Sequence, residues 1–276
     1  MTTYPDPVHP DVLITGEAYT SGLLSKDLPT ELTRLQLLEK TYDPGTVAVL
    51  DRLGIRPDWR CLELGAGAGS VAYWLAGRVP GGSVVAADID PRFIEPDRAA
   101  NLDVRCMDVT SEEFPANSFD LIHARAVFMH LPNREEILRR ALNWLAPGGW
   151  LVIEDVYFLP AEDSPYPHWR AANGAWTTAL AAQGIDLAWA RRIPAALTAA
   201  GCESVDVAVT PGGLGVTGDQ DELLRIRLVQ SEERLVGAGL VTSEQLDGAR
   251  LVLESHPAPD VSTLVYSGWG QKPAAR

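Results

Sequence analysis

Apolar residues in the first 156 positions follow two different spacings. Continuous apolar runs indicate strands that helices cover on both faces of a parallel sheet, and they occur at residues 60–64, 83–88, 119–125 and 150–155. A less apolar run at residues 101–108 predicts one more strand. Apolar residues recur at helical spacing after the first run, and a helix is also predicted at 134–145. This alternation of strands and helices predicts an α/β fold.

The remainder of the chain predicts helices on both sides of this core. Near the N-terminus we expect helices at 29–40 and 46–53, separated by a turn at Asp43, Pro44 and Gly45. Beyond the core we expect helices at 167–183, 185–200, 219–238 and 243–255, strands at 204–210 and 263–269, and a glycine hinge at 211–215. These elements divide the chain into an N-terminal helical lid (1–58), a ligand-binding core (59–156), a cap segment (157–184), a core helix and strand (185–215), cap helices (216–258) and a final core strand with its tail (259–276).

The most informative chemistry lies between the first strand and the helix after it. Gly65, Gly67 and Gly69 predict a turn where a ligand can approach the backbone closely. Glu63 precedes this turn, and the second strand ends in Asp88, an acid suited to ribose hydroxyls. A dinucleotide site needs its third glycine one residue later, and Glu63 would repel a pyrophosphate but suit a cationic ligand. An NAD-dependent oxidoreductase stays open as an alternative.

The pattern Glu-x-Gly-x-Gly-x-Gly resembles the first motif of class I S-adenosylmethionine-dependent methyltransferases. The similarity continues in the same order over about residues 45–156, through a third strand ending in Asp108 and a fourth at 119–125. It implies a Rossmann-like, doubly wound α/β fold with seven strands, the last antiparallel and inserted between the fifth and sixth, and a helical cap. It also implies S-adenosyl-L-methionine as methyl donor and S-adenosyl-L-homocysteine as product. A relative that binds this cofactor without methylating is a further alternative.

The resemblance also implies a set of cofactor contacts. The glycine loop would pass beneath the ribose and methionine, with Glu63 facing the ammonium group, Asp88 the ribose and Asp108 the adenine amine. Further contacts are expected from Ile89, Met107 and Val109 around the adenine, Ala124 and Arg125 near the methionine end, and Tyr19 and Arg34 in the lid. Alternatives stay open for the charged residues. Acids often begin turns after strands, Arg125 could form an internal salt bridge, and Arg34 could lie on a solvated helix face.

Three residues at the ends of the fourth and fifth strands are candidates for catalysis. Methyl transfer is an in-line displacement, and a hydroxyl or carbon acceptor usually also loses a proton. His130 is a natural general base because imidazole titrates near neutrality, although His-Leu-Pro is also similar to a packing element of the family. Glu154 and Asp155 could act as base or substrate anchor. Adjacent strand residues point to opposite faces, so we assign no metal site to this pair.

Composition narrows the acceptor. The formal net charge is −14 and the isoelectric point about 4.7, which offers no electrostatic footprint for DNA or RNA. Without a long apolar run or a signal-peptide pattern, we expect no membrane contact and a cytoplasmic protein. We expect O-methylation of a small, hydrophobic secondary metabolite in a capped pocket, with C- or N-methylation of a prenyl, indole or peptide-carboxylate acceptor as alternatives. A homo-oligomer stays open.

Aromatic residues of the cap bear on the acceptor as well. Five of them are candidates for the wall of an apolar pocket, with burial in the core as the alternative: Phe128, Tyr157, Phe158, Trp169 and Trp176.

Overall fold

A single mixed sheet forms the centre of the protein. The computed structural model describes residues 23–255 and 258–274. Its strands are β1 (Arg60–Leu64), β2 (Ser83–Asp88), β3 (Leu102–Cys106), β4 (Phe119–Arg125), β5 (Leu145–Phe158), β6 (Glu203–Leu214) and β7 (Asp260–Gln271). They lie in the order β3-β2-β1-β4-β5-β7-β6. The first five strands are parallel, whereas β7 is antiparallel to both of its neighbours. The predicted sheet and the insertion of its last strand are confirmed.

Helices surround this sheet. They are α1 (Glu31–Leu50), α2 (Ser70–Arg78), α3 (Arg134–Trp144), α4 (Pro167–Ala182), α5 (Ile193–Ala199), α6 (Gly218–Gly237) and α7 (Ser243–Ser255). Short 3-10 turns occur at Asp51–Leu53, Pro96–Arg98, Phe128–His130, Ala161–Asp163 and Trp189–Arg192. None of the helices within the described ranges combines the length and the apolar character needed to cross a bilayer.

Alternate residues of the central strands pack into two separate apolar cores. In β1, Leu62 and Leu64 belong to the core that includes Trp144, whereas Cys61 belongs to the core that includes Leu75 of α2. Because side chains alternate across a strand, a continuous apolar run is what a sheet covered on both faces requires.

A third apolar core lies within the cap. Helices α4, α6 and α7 contribute Trp169, Leu228 and Leu246 to it. Helix α1 packs against α6, and next to this contact Gln230 donates a 2.9 Å hydrogen bond to Thr30 just before α1 begins. Because α1 also contacts the ends of β4 and β5 through Thr46, it lies between the cap and the carboxyl edge of the sheet.

The predicted break near Pro44 is wrong, because α1 continues through this residue. A proline inside a helix removes one backbone hydrogen bond and costs about 3 kcal/mol. Tertiary contacts on both sides offset this cost. Arg125 donates to Asp43 at 2.8 Å and to Thr46 at 2.9 Å, so the residues flanking the proline are both held against the sheet.

Two predictions near the β6 edge are also corrected. Residues 185–200 do not form one helix, because Leu187 accepts a hydrogen bond from Phe158 at the end of β5 and helix α5 begins only at Ile193. The expected hinge at 211–215 is largely strand, since β6 runs to Leu214 with a register shift at Gly212 and Gly213. A Cβ at Gly213 would lie 2.1 Å from the Asp260 carbonyl oxygen, so this glycine permits close strand approach.

Candidate active site

A cavity of about 240 Å³ opens at the carboxyl edge of the sheet, beneath α1. Open α/β sheets bind ligands at this edge. We call its two walls the glycine-loop side and the α1 side. The glycine-loop side comprises the cavity-lining residues within 63–71, 87–89 and 107–110. The α1 side comprises those within 24–42, 125–132 and 154–156, together with Val265.

The glycine-loop side is built by backbone that only glycine tolerates well. Gly65 and Gly67 have φ values of +66° and +62°, in the left-handed region that favours glycine. The amide of Gly65 donates to the Ala87 carbonyl at 2.8 Å, and the amide of Gly67 donates to Asp88 at 2.9 Å. These bonds fold the loop over the end of β2, so Gly65, Gly67 and Asp88 line the cavity.

A lysine that the sequence analysis did not single out contacts Asp88. Lys26 Nζ lies 2.6 Å from one Asp88 oxygen and donates at 2.5 Å to the Asp90 carbonyl. Both side chains of this ion pair are largely buried, at 10% and 7% exposure. Lys26 precedes α1, so nothing in the local sequence around Asp88 could reveal the contact.

The predicted adenine contacts come together at the far end of the same wall. Ile89, Met107, Asp108 and Val109 all line the cavity. Asp108 also accepts hydrogen bonds from the backbone and side chain of Thr110, at 2.8 and 2.7 Å. The carboxylate thus stabilises the turn after β3 while it faces the cavity, so the structural interpretation and a ligand contact are compatible.

Two of the predicted contact residues do not line the cavity, and a third lies outside the described residues. Ala124 is fully buried in the core and pairs with Leu64 and Ile153 on either side, so it has no face toward the cavity. Gly69 is the N-cap of α2 and packs against Tyr73 instead. We drop Ala124 and Gly69 from the site. Tyr19 lies outside the described part of the chain.

Two arginines on the α1 side are committed to internal ion pairs. Arg34 forms a two-pronged pair with Glu31 one turn earlier in α1, at 2.6 and 2.8 Å. Arg125 contacts Asp43 and Thr46 of α1, which is the internal salt bridge that the sequence left open. Both arginines line the cavity, and both help to hold its wall in place.

A buried chain of charged groups lies beneath the cavity, and sequence reasoning missed its centre. His123 in β4 contacts Glu63 in β1 through Nδ1 at 2.7 Å and Glu154 in β5 through Nε2 at 3.0 Å. All three are at most 3% exposed. Burial lowers the pKa of His123, but the two carboxylates outweigh burial and raise it to about 9. His123 is therefore an imidazolium at neutral pH and donates to both carboxylates. The signal available in the sequence was a histidine within the apolar run of β4, together with acids near the ends of the predicted first and fifth strands.

Glu154 is occupied within this chain. One oxygen accepts from His123 and from Thr46, and the other accepts from Ser267 of β7. Burial acts to raise the pKa of Glu154, but the hydrogen bond and charge of His123 lower it overall. A carboxylate with both oxygens engaged and a depressed pKa is a poor proton acceptor. We therefore no longer assign Glu154 the role of general base.

Asp155 and His130 both line the α1 side, and their pKa values move in opposite directions. Burial raises the pKa of Asp155 well above its ordinary value, although the backbone amide of Met129 donates to it at 3.2 Å. Burial and the nearby Arg34 and Arg134 charges lower the pKa of His130 to about 4. At neutral pH the His130 imidazole is therefore neutral.

The apolar part of the α1 side comes from aliphatic residues. They include Leu24, Leu35, Leu38, Val127, Leu131 and Val265, and the aromatic ring of Tyr42 lines this side as well. None of the five aromatic residues considered from the sequence lines the cavity; Phe128, Trp169 and Trp176, for example, are buried in apolar cores. These aromatic residues of the cap therefore pack in or against the apolar cores, which was the alternative interpretation.

The residues on the glycine-loop side fit S-adenosylmethionine chemically. Glycine backbone without Cβ atoms allows close approach, since a Cβ on Gly67 would meet nothing nearer than Leu35 at 3.8 Å. Carboxylates of Asp88 and Asp108 alternate with apolar Ile89 and Met107, which suits a sugar next to a flat ring. Glu63 at the other end suits a cation. Among the residues that the structure describes, no group of three or more His, Cys, Asp or Glu side chains is arranged so that it could hold a metal ion.

Comparisons with known proteins agree with this geometry. Residues 34–207, more than half of the chain, match a family described as a methyltransferase domain. Methyltransferase str3 of Strobilurus tenacellus is 38% identical over 103 residues, which cover 37% of this chain and 37% of that protein. Phosphoethanolamine N-methyltransferase 3 of Arabidopsis thaliana is 29% identical over 126 residues, covering 44% of this chain and 26% of that protein. The matched segments thus span less than half of these relatives.

The fold extends further than the sequence similarity. Phosphoethanolamine N-methyltransferase 2 of Haemonchus contortus, solved in complex with S-adenosyl-L-methionine, superposes with a TM-score of 0.60 at 17% identity. The superposition covers 96% of this chain and 61% of that chain. At this identity the comparison establishes the shared fold.

Proposed function

Because the chain belongs to the methyltransferase-domain family, we propose that it transfers a methyl group from S-adenosylmethionine to a small, apolar acceptor, with oxygen as the favoured acceptor atom. The observation that carries this proposal is one cavity with two chemically different walls. The glycine-loop side offers acids and open backbone, and the α1 side offers aliphatic surface beside a buried carboxyl group.

The donor is assigned to the glycine-loop side. Asp88 accepts from the ribose hydroxyls, Asp108 and the apolar residues beside it hold the adenine, and Glu63 faces the ammonium group. The Haemonchus contortus enzyme, which shares the fold, was solved with this donor bound, and this supports the assignment. When bound, the donor supplies a methyl group activated on a positively charged sulfur. The lid residues keep water from this group, which is what in-line transfer requires.

Asp155 is the group we assign to the acceptor's proton. A base works best when its pKa lies near the working pH. Burial raises the pKa of Asp155 well above its ordinary value, whereas burial and the nearby arginines lower the pKa of His130 to about 4. Asp155 takes the proton of an acceptor hydroxyl, and His130 stays neutral and orients the acceptor. An acceptor nitrogen that is already unprotonated would need neither role, so N-methylation remains the second candidate.

The charges in the cavity disfavour a phosphorylated acceptor. Lys26, Arg34 and Arg125 are the lysine and arginines that line it within the described residues, and each contacts a carboxylate. A phosphate would have to displace one of these carboxylates. The acceptor we propose is therefore neutral, unlike the acceptors named for the phosphoethanolamine relatives.

Calorimetric titration with S-adenosylhomocysteine, S-adenosylmethionine and NAD tests the donor assignment. We expect the two sulfur compounds to bind and NAD not to bind. Asp88→Ala should weaken S-adenosylhomocysteine by about 1–3 kcal/mol, because it removes hydrogen bonds to a charged group. Asp103→Ala is the matched control, since this aspartate of β3 is exposed and paired with Arg105. Unchanged affinity in Asp88→Ala would remove the ribose assignment, and preferential NAD binding would overturn the proposed function.

A further inference from the structure

The ion chain formed by Glu63, His123 and Glu154 extends from the glycine-loop side of the cavity to helix α1 without interruption. Glu63 contacts His123, His123 contacts Glu154, and Glu154 accepts a hydrogen bond from Thr46 in α1. Glu63 and Glu154 also border the cavity, whereas His123 between them does not line it.

The same helix is attached at a second point. Arg125 at the end of β4 donates to Thr46 and Asp43. Asp43 in turn accepts from the side chain of Ser70 at 3.1 Å, and Glu39 accepts from the Ser70 amide at 3.2 Å. Ser70 is the first residue of α2, directly after the glycine loop. Helix α1 is thus joined by hydrogen bonds both to the strand ends and to the loop that curves around the donor.

Without His123 the arrangement would be electrostatically unfavourable. Glu63 and Glu154 are both buried, and the charge of Glu154 acts to raise the pKa of Glu63, as burial does. Two buried like charges need an opposite charge with good geometry between them. His123 provides it with one ring nitrogen for each carboxylate, and it lies in β4 between β1 and β5.

We propose that His123 is a positioning residue that fixes the Glu63 carboxylate toward the methyl donor and, through Glu154 and Thr46, docks helix α1 on the sheet. The docking part is independent of the activity, whereas the part that concerns donor affinity rests on the proposed function. His123 itself contacts no reacting atom in this assignment.

The test uses three variants of the full chain. His123→Gln keeps a polar side chain and removes the charge. Thr46→Val removes the hydroxyl that donates to Glu154 and accepts from Arg125, and it leaves the contact between His123 and Glu63. Ser267→Ala is the control, because it removes a different hydrogen bond to the same Glu154 carboxylate without touching α1 or Glu63.

Hydrogen–deuterium exchange of the ligand-free protein measures the docking. Amides of the α1 segment should exchange about ten-fold faster in His123→Gln and in Thr46→Val, since one or more buried hydrogen bonds are lost. Ser267→Ala should stay close to wild type in this segment. Thr46→Val leaves the buried charged groups in place, so its exchange rates test the docking of α1 even if His123→Gln does not fold. Unchanged α1 exchange in Thr46→Val would overturn that part.

Calorimetry with S-adenosylhomocysteine measures the positioning. The dissociation constant should rise about ten-fold in His123→Gln and clearly less in Thr46→Val, because only the first variant releases Glu63. Equal affinity in folded His123→Gln and wild type would overturn the positioning role. If the wild-type protein does not bind S-adenosylhomocysteine, the proposed function is overturned. The exchange experiment then still tests whether His123 docks helix α1.

Discussion

The two walls of the cavity are made in different ways. The glycine-loop side consists of the carboxyl ends of β1 and β2 and the short segments that follow β1, β2 and β3, and its chemistry is carried by acids and glycines. The α1 side combines a helix, the segment after β4, the end of β5 and Val265 of β7, and it places aliphatic residues beside charged ones. Neighbouring parallel strands place the first wall automatically, because their carboxyl ends share one edge. The second wall exists only once distant segments pack together.

Contacts between the two walls offer ways to test how far they are independent. The ion chain through His123 joins them from below. Gly65 and Val127 touch where the glycine loop meets the segment after β4. Lys26, on the α1 side, reaches Asp88 on the glycine-loop side. Changes in stability or in ligand affinity should be largest for the ion chain, intermediate for the contact between Gly65 and Val127, and smallest for the contact between Lys26 and Asp88.

The largest effect should appear in the pH dependence of stability. The pKa of His123 is raised from its ordinary 6.5 to about 9 in the folded protein. Its contribution to stability is therefore complete below about pH 6.5 and is lost as the pH rises toward 9, a loss of roughly 3 kcal/mol. Urea unfolding across this window should show a steeper decline in wild type than in His123→Gln. Parallel curves would mean that the imidazolium does not join the walls.

An intermediate effect is expected where the walls touch. Gly65 has a φ of +66°, and a Cβ there would lie 2.3 Å from a methyl carbon of Val127. Gly65→Ala should lower the free energy of unfolding by about 1–3 kcal/mol through crowding and backbone strain. Urea unfolding measures this change.

Two further variants make the Gly65 result specific. Gly77→Ala in α2 is the control, since a Cβ at that position meets nothing within 4 Å, and it should be neutral or slightly stabilising. Adding Val127→Ala to Gly65→Ala should recover part of the loss, because only the backbone strain would then remain. No recovery would show that the crowding between the walls is unimportant.

The smallest effect should come from Lys26. Its ammonium group already contacts the carboxylate assigned to the donor ribose. Lys26→Met should therefore tighten S-adenosylhomocysteine binding by about 1 kcal/mol or less, the scale of a single ion pair. Calorimetry measures the change, with Arg92→Met as control because Arg92 pairs with Asp27 and Asp90 at the exposed rim. Weaker binding in Lys26→Met would instead make Lys26 part of the donor site.

Residues on the glycine-loop side were predictable to a large extent. Glu63, Asp88 and Asp108 were found from strand ends, and all three line the cavity. Ala124 and Gly69, found by the same reasoning, do not line the cavity, because a motif gives the neighbourhood of a residue but not the direction in which it faces. The roles of the three acids toward a donor stay predictions that the titrations will decide.

Residues on the α1 side were not predictable in the same way. The break expected at Pro44 hid the fact that Asp43 and Thr46 belong to one helix with Glu39. His123 looked like one more residue of an apolar strand, and its two partners lie 60 and 31 positions away in the chain. Contacts of this kind depend on strand order, which local patterns do not contain.

The sequence by itself determined the alternation of strands and helices, the glycine loop and the acids at the strand ends, because apolar spacing and backbone conformation are local properties. Only the tertiary structure decided that α1 passes unbroken over the cavity, that Lys26 contacts Asp88 and that His123 lies between two carboxylates. The physical reason is that buried charges are stable only with partners, and the partners are brought close by packing between segments far apart in the chain.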